Sequence, residues 1–124
     1  MRLYIKEILK KHLPHPTDVR DACLVYTGGE LDYMIITGFP LKDSSLSLAH
    51  PKKIQLIDFK QKAKEMRRLT LDELHAYMPV NPAWMNGAIA SNTLLETSGE
   101  FLGVQTIIPS NKNLNDGLLF SVFR

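Results

Sequence analysis

The pattern of apolar positions constrains local structure most in residues 21–40, DACLVYTGGELDYMIITGFP. Two β-rich runs flank Gly28-Gly29, and a glycine pair readily takes the positive φ of a two-residue hairpin turn. With the glycines as the turn, Tyr26 faces Leu31, Leu24 faces Tyr33 and Ala22 faces Ile35, so these six apolar residues share one face. A slip of one residue would turn that face to water, which specifies the register. The pattern predicts a β-hairpin over residues 22–36.

Elsewhere the period is helical. Leu3, Ile5, Ile8, Leu9 and Leu13 predict an amphipathic helix over residues 2–13, stopped by Pro14. Residues 38–53 carry Pro40, Ser44, Ser45, Ser47, His50 and Pro51 and read as a long loop. Ile54 and Leu56 predict a short strand over residues 53–58. Asp58 is then placed to cap a helix over 59–68, with Gln61 at the capping-box position and Phe59, Ala63 and Met66 inward. Thr70 and Glu73 form a second capping box, opening a helix over 71–78. Asn81-Pro82 starts a third helix over 82–91. A second hairpin is predicted over 93–108 with Ser98-Gly99 as its turn, and a last strand over 118–123. The expected architecture is a single α+β domain over residues 1–124. It has an antiparallel sheet of five to six strands, an N-terminal helix and a central cluster of three short helices.

Composition narrows the class little: 124 residues, 44% hydrophobic and 23% charged, describe an ordinary globular domain. The N-terminus is interrupted by charges and lacks the apolar core of a signal peptide, and the one cysteine cannot form an internal disulfide, so a cytoplasmic protein is expected. No apolar run approaches the roughly 20 residues of a membrane span, so no membrane partner is expected.

Charge is unevenly distributed. Residues 51–68 hold seven basic side chains against two acidic ones, whereas residues 69–111 hold four acidic side chains and no lysine or arginine. On the helix over 59–68, Lys60, Lys64, Arg67 and Arg68 share one face, a candidate basic interaction surface. Tyr77, Trp84 and Met85, in the lysine-free segment, are candidate apolar interaction residues because these types are enriched at interfaces.

Motifs with chemistry are absent. There is no phosphate-binding glycine loop, dinucleotide fingerprint, zinc spacing or paired-carboxylate signature. His12, His15, Asp18 and Asp21 are crowded between prolines that oppose a regular ligand geometry, and they read as loop polars. Ser47 and His50 lack nucleophile-elbow glycines, and Cys23 lies in a predicted strand without a basic neighbour. The helices over 59–91 followed by the hairpin over 93–108 resemble a winged helix-turn-helix in element order. That resemblance implies a recognition helix at 82–91 and a wing tip at Ser98-Gly99. The proposed helix offers only Asn86 to bases, and the wing carries Glu96 and Glu100, so DNA binding in that mode is disfavoured.

The sequence thus reads as a non-enzymatic, protein-binding module without a cofactor or metal, in a regulatory, accessory or inhibitor/immunity role. The second reading is a nucleic-acid-binding regulator using the basic 52–68 segment. The third is a motif-poor enzyme or small-molecule binder assembled from distant residues. Self-association is compatible with each.

Overall fold

The computed structural model describes residues 1–12, 23–48 and 50–112. Within them the chain runs α1 (Arg2–His12), β1 (Cys23–Tyr26), α2 (Glu30–Thr37), β2 (Lys42–Ser47), β3 (His50–Gln55), α3 (Leu56–Met66) and α4 (Leu71–His75). A 3₁₀ turn (Pro82–Met85), α5 (Ala88–Leu102) and β4 (Thr106–Pro109) follow. This is an α+β arrangement with a four-stranded sheet in the order β1-β4-β3-β2. The sheet is mixed: β4 runs parallel to β1 and antiparallel to β3. The expected antiparallel sheet of five to six strands is corrected accordingly among the described residues. The strand predicted at 118–123 lies outside them.

Both predicted hairpins fail because an arm of each is helical: the second arm of the first, and the first arm and turn of the second, whose other arm does reach a strand at β4. In the first, Gly28 and Gly29 do take positive φ, 95° and 85°, but they join β1 to α2. The sequence ELDYMIIT supports both periods. Its buried residues are Glu30, Leu31, Tyr33, Met34 and Thr37, the spacing of one helical face, and Ile35 is exposed. Glu30 and Asp32 in the first turn suit the positive end of the helix dipole. The other end closes on Gly38, with Gly38 N–H donating to Ile35 O and Phe39 N–H to Met34 O.

In the second, α5 runs without interruption through Ser98-Gly99, so there is no wing and the winged-helix resemblance is lost. Ala88, Asn92, Leu95 and Gly99 form one buried stripe at helical spacing. Gly99 allows close approach: a Cβ there would lie 3.1 Å from Leu56 Cδ1. Residues 82–91, predicted as one helix, divide into the 3₁₀ turn and the start of α5, separated by Asn86 and Gly87.

The predicted 38–53 loop is mostly the β2–β3 hairpin, with Asp43 opposite Lys52 and their side chains paired at 2.6 Å. Leu46 and Leu48 are exposed, so the hairpin lacks the one-sided apolar alternation that announces a strand. α3 begins at Leu56, ahead of Asp58, which therefore lies in its first turn instead of capping it. Its buried face is Phe59, Ala63 and Met66, as its spacing predicts. The Thr70–Glu73 capping box forms with both of its hydrogen bonds, although α4 stops at His75.

The core lies where α2, α3, α4, α5 and the inner strands meet. It contains Met34, Phe39, Ile54, Phe59, Met66, Met85, Leu95 and Ile107. Phe39 stacks on Phe59 with centroids 5.0 Å apart. Among the described residues no helix is long and apolar enough to cross a membrane.

Candidate functional site

The segment after β4 determines where α2 starts. Gly28 N–H donates to Lys112 O at 2.9 Å and Glu30 N–H to Ser110 O at 3.2 Å. Asp32 N–H donates to Asn111 Oδ1 at 3.0 Å, and Asn111 Nδ2 returns a bond to Asp32 Oδ1. An α-helix leaves its first N–H groups without intrahelical partners. Here residues 110–112 occupy three N–H groups around that end, which therefore does not offer the open set of donors that binds a phosphate.

Beside this junction is a pocket of about 220 Å³. Gly28, Gly29, Glu30 and Tyr33 line one side, and Trp84, Gly87 and Ser91 the other. Two of its lining side chains are held from behind by distant parts of the chain. Ser91 Oγ shares a hydrogen bond with Tyr26 OH at 3.3 Å, and Tyr33 OH donates to the buried Asn92 Oδ1 at 2.8 Å. Trp84 meets Tyr33 edge-on, with ring centroids 6.2 Å apart, and remains 41% exposed.

Glu30 is the charged residue of this lining. It is 6% exposed, and its Oε1 is cut off from solvent without a hydrogen-bond partner among the described residues. Burial disfavours the ionised form and pushes the carboxyl up to about 7. Burial also raises both tyrosines. The Ser91 and Asn92 hydrogen bonds pull Tyr26 and Tyr33 back respectively, and the charge of Glu30 adds to the upward shift of each. A buried carboxyl raised to about 7, beside Tyr33 in a pocket, has the environment of a binding or proton-handling group.

A larger cleft of about 390 Å³ lies between Leu56, Ile57 and Lys60 on α3 and Val104-Gln105 before β4. Among the described residues its one charged side chain, Lys60, pairs with Glu100 at 2.7 Å, and it holds no buried polar atom awaiting a partner.

The predicted interaction residues are distributed differently from their spacing on the chain. Lys60 pairs with Glu100, and Arg67 with Glu96 at 3.0 Å. Glu96 is 3% exposed in its side chain and also receives Arg2 from α1 at 2.8 Å. The hydrogen bond from Lys60 draws Glu100 below the usual carboxylate range. Much of the charge asymmetry along the chain is therefore internal complementarity between α3 and α5. Lys64 and Arg68 are exposed and outside these pairs. Of the apolar trio, Trp84 borders the pocket, Tyr77 is half-buried against the core and Met85 is fully buried within it. Met85 therefore supports the surface from below instead of forming it.

Sequence reasoning singled out Trp84 and the glycine pair but missed Glu30, Tyr33 and Ser91. The available signal was a helical reading of residues 30–37, which buries Glu30 on the same face as Tyr33. Among the described residues no group of three His, Cys, Asp or Glu side chains converges as metal ligands. His12 is described, whereas His15, Asp18 and Asp21 lie outside the described residues. No protein-family model and no curated protein matches the chain.

Proposed function

We propose that this protein is a non-enzymatic binding module that recognises another protein at the surface around Trp84, with the adjoining pocket receiving one of the partner's side chains. The observation that carries the reading is the position of Trp84: half-exposed, packed edge-on against Tyr33, at the rim of a small pocket. A rigid, partly exposed tryptophan beside a cavity is the usual form of an interface anchor. At about 220 Å³ the pocket is smaller than the roughly 300–1,000 Å³ of drug-sized ligand sites, which suits a single side chain.

The ion pairs made by Arg67 and Lys60 weigh against nucleic acid. A phosphate recruited to that face would compete with Glu96 and Glu100, leaving Lys64 and Arg68 as its free contacts. A photo-crosslinking residue placed at position 84, in cells, tests the reading against the same residue at Leu48, which is fully exposed on the β2–β3 turn. Protein adducts specific to position 84 are expected. Equal adducts from both positions, or duplex binding that weakens steeply with salt, would overturn it.

A further inference from the structure

We infer that the group received by the Glu30 pocket is an organic cation, an alkylammonium or guanidinium such as a lysine or arginine side chain carries. The inference deepens the protein-binding reading by naming the partner's side chain, and it rests on that reading only for the source of the cation. Glu30 is more than nine-tenths buried, its Oε1 has no partner, and no lysine or arginine lines the pocket among the described residues. A buried carboxylate left without a counter-charge is costly, so an entering cation supplies what the fold omits. Hydrogen bonds to charged partners are also the stronger kind.

The opposite charge does not fit. Residues 110–112 already occupy the N–H groups of Gly28, Glu30 and Asp32, so an anion would meet a carboxyl and few free donors. The aromatic rings of Tyr33 and Trp84 complete the argument. Both border the pocket, and the electron-rich faces of such rings attract ammonium and guanidinium groups. Carboxylate, aromatic wall and small volume together select a compact cation over a nucleotide or a fatty chain.

Trp84 is the sole tryptophan, so its fluorescence reports on this pocket directly. The experiment titrates the full chain with n-butylammonium chloride and with n-butanol at constant ionic strength. A saturable change with the ammonium, at least about tenfold tighter than with the alcohol, is expected from a charge-assisted contact. Glu30→Gln should weaken the ammonium by at least about tenfold, since its amide carries no charge to pair. Gly87→Val, which adds volume where a Cβ meets no atom within 4 Å, should weaken it without touching Glu30. An equal response to both probes would overturn the inference, as would unchanged ammonium binding in both variants. If Glu30→Gln does not fold, the butanol comparison and Gly87→Val decide. A capped Gly-Lys-Gly peptide then separates the sources. Tighter binding than n-butylammonium supports a partner's side chain. Weaker binding supports a free amine, so the cation site stands while the protein-docking reading falls.

Discussion

Tyr33 OH donates a 2.8 Å hydrogen bond to Asn92 Oδ1, tying the start of α2 to α5 inside the core. Asn92 is fully buried, and its Nδ2 donates to the sulfur of Met66, at 3.5 Å. The pair therefore holds together the two helices that form the pocket walls.

Tyr33→Phe keeps the ring that supports Trp84 but leaves the Asn92 carbonyl oxygen without its donor. An unsatisfied buried acceptor costs about 1–3 kcal/mol, and urea denaturation should show a loss of that size. Removing both partners with Tyr33→Phe and Asn92→Leu should recover part of it, because the polar group left stranded is then gone. A double variant no more stable than Tyr33→Phe would show that Asn92 contributes chiefly through its shape.

Glu30 should make the protein less stable as pH rises. Its folded value of about 7 lies above the ordinary 4.5, so the folded state holds a proton that the unfolded chain has released. The stabilisation is complete below the unfolded value and is lost as pH climbs through the folded one. At about 1.36 kcal/mol per pKa unit, the loss between pH 4.5 and pH 8 is on the order of 3 kcal/mol. Asp43 and Glu100, both shifted down by lysines, act in the opposite sense, their contribution being lost as pH falls below their ordinary values through the lowered folded ones. Subtracting the stability–pH curve of Glu30→Gln isolates the Glu30 contribution. A difference that does not change between pH 5 and pH 8 would rule out the proposed burial of its charge.

Glu96 should matter more than either arginine bound to it. Its carboxylate is 3% exposed and accepts from both Arg2 and Arg67, whose side chains are 41% and 34% exposed. Glu96→Gln leaves two cations sharing a neutral amide. Their access to water moderates the roughly 3–5 kcal/mol cost of breaking a fully buried pair, so a loss of about 1–3 kcal/mol is expected. Arg2→Ala, which removes one exposed partner, should cost less than about 1 kcal/mol. Lys64→Glu with Arg68→Glu, outside these pairs, should change thermal stability by no more than about 0.5 kcal/mol per site.

The parts of the fold legible in the sequence were those specified locally. The Thr70–Glu73 capping box, the Phe59–Ala63–Met66 stripe and the N-terminal helix each depend on residues within a few positions of one another. α2 does not. Its first turn has no side-chain cap, and its N–H groups find partners in residues 110–112, far along the chain. Without those acceptors, YTGGELDY satisfies a hairpin equally well. Gly99 misled for a related reason, since a glycine needed for contact with Leu56 is indistinguishable from a turn glycine until α3 is in place. The pocket was illegible for the same cause: Glu30, Trp84 and Ser91 meet only after α2 and α5 have formed.

The pocket's glycines should respond to alanine to different degrees. Gly29 has φ 85° and ψ 14°, in the left-handed region, yet a Cβ there would meet no atom within 4 Å. Gly29→Ala therefore suffers backbone strain alone, about 1–2 kcal/mol of destabilisation. Gly87 has φ −94° and ψ 5°, negative-φ backbone open to any residue, and it too has open space beside it. As the N-cap of α5 it is a favoured type that alanine is not, which offsets the entropy alanine removes from the unfolded chain, so Gly87→Ala should change stability by less than about 0.5 kcal/mol. A Gly87→Ala variant of unchanged stability that binds n-butylammonium more weakly would show that the volume beside Gly87 is used by the pocket. Unchanged binding would remove Gly87 from the site and leave Glu30, Tyr33 and Trp84 to define it.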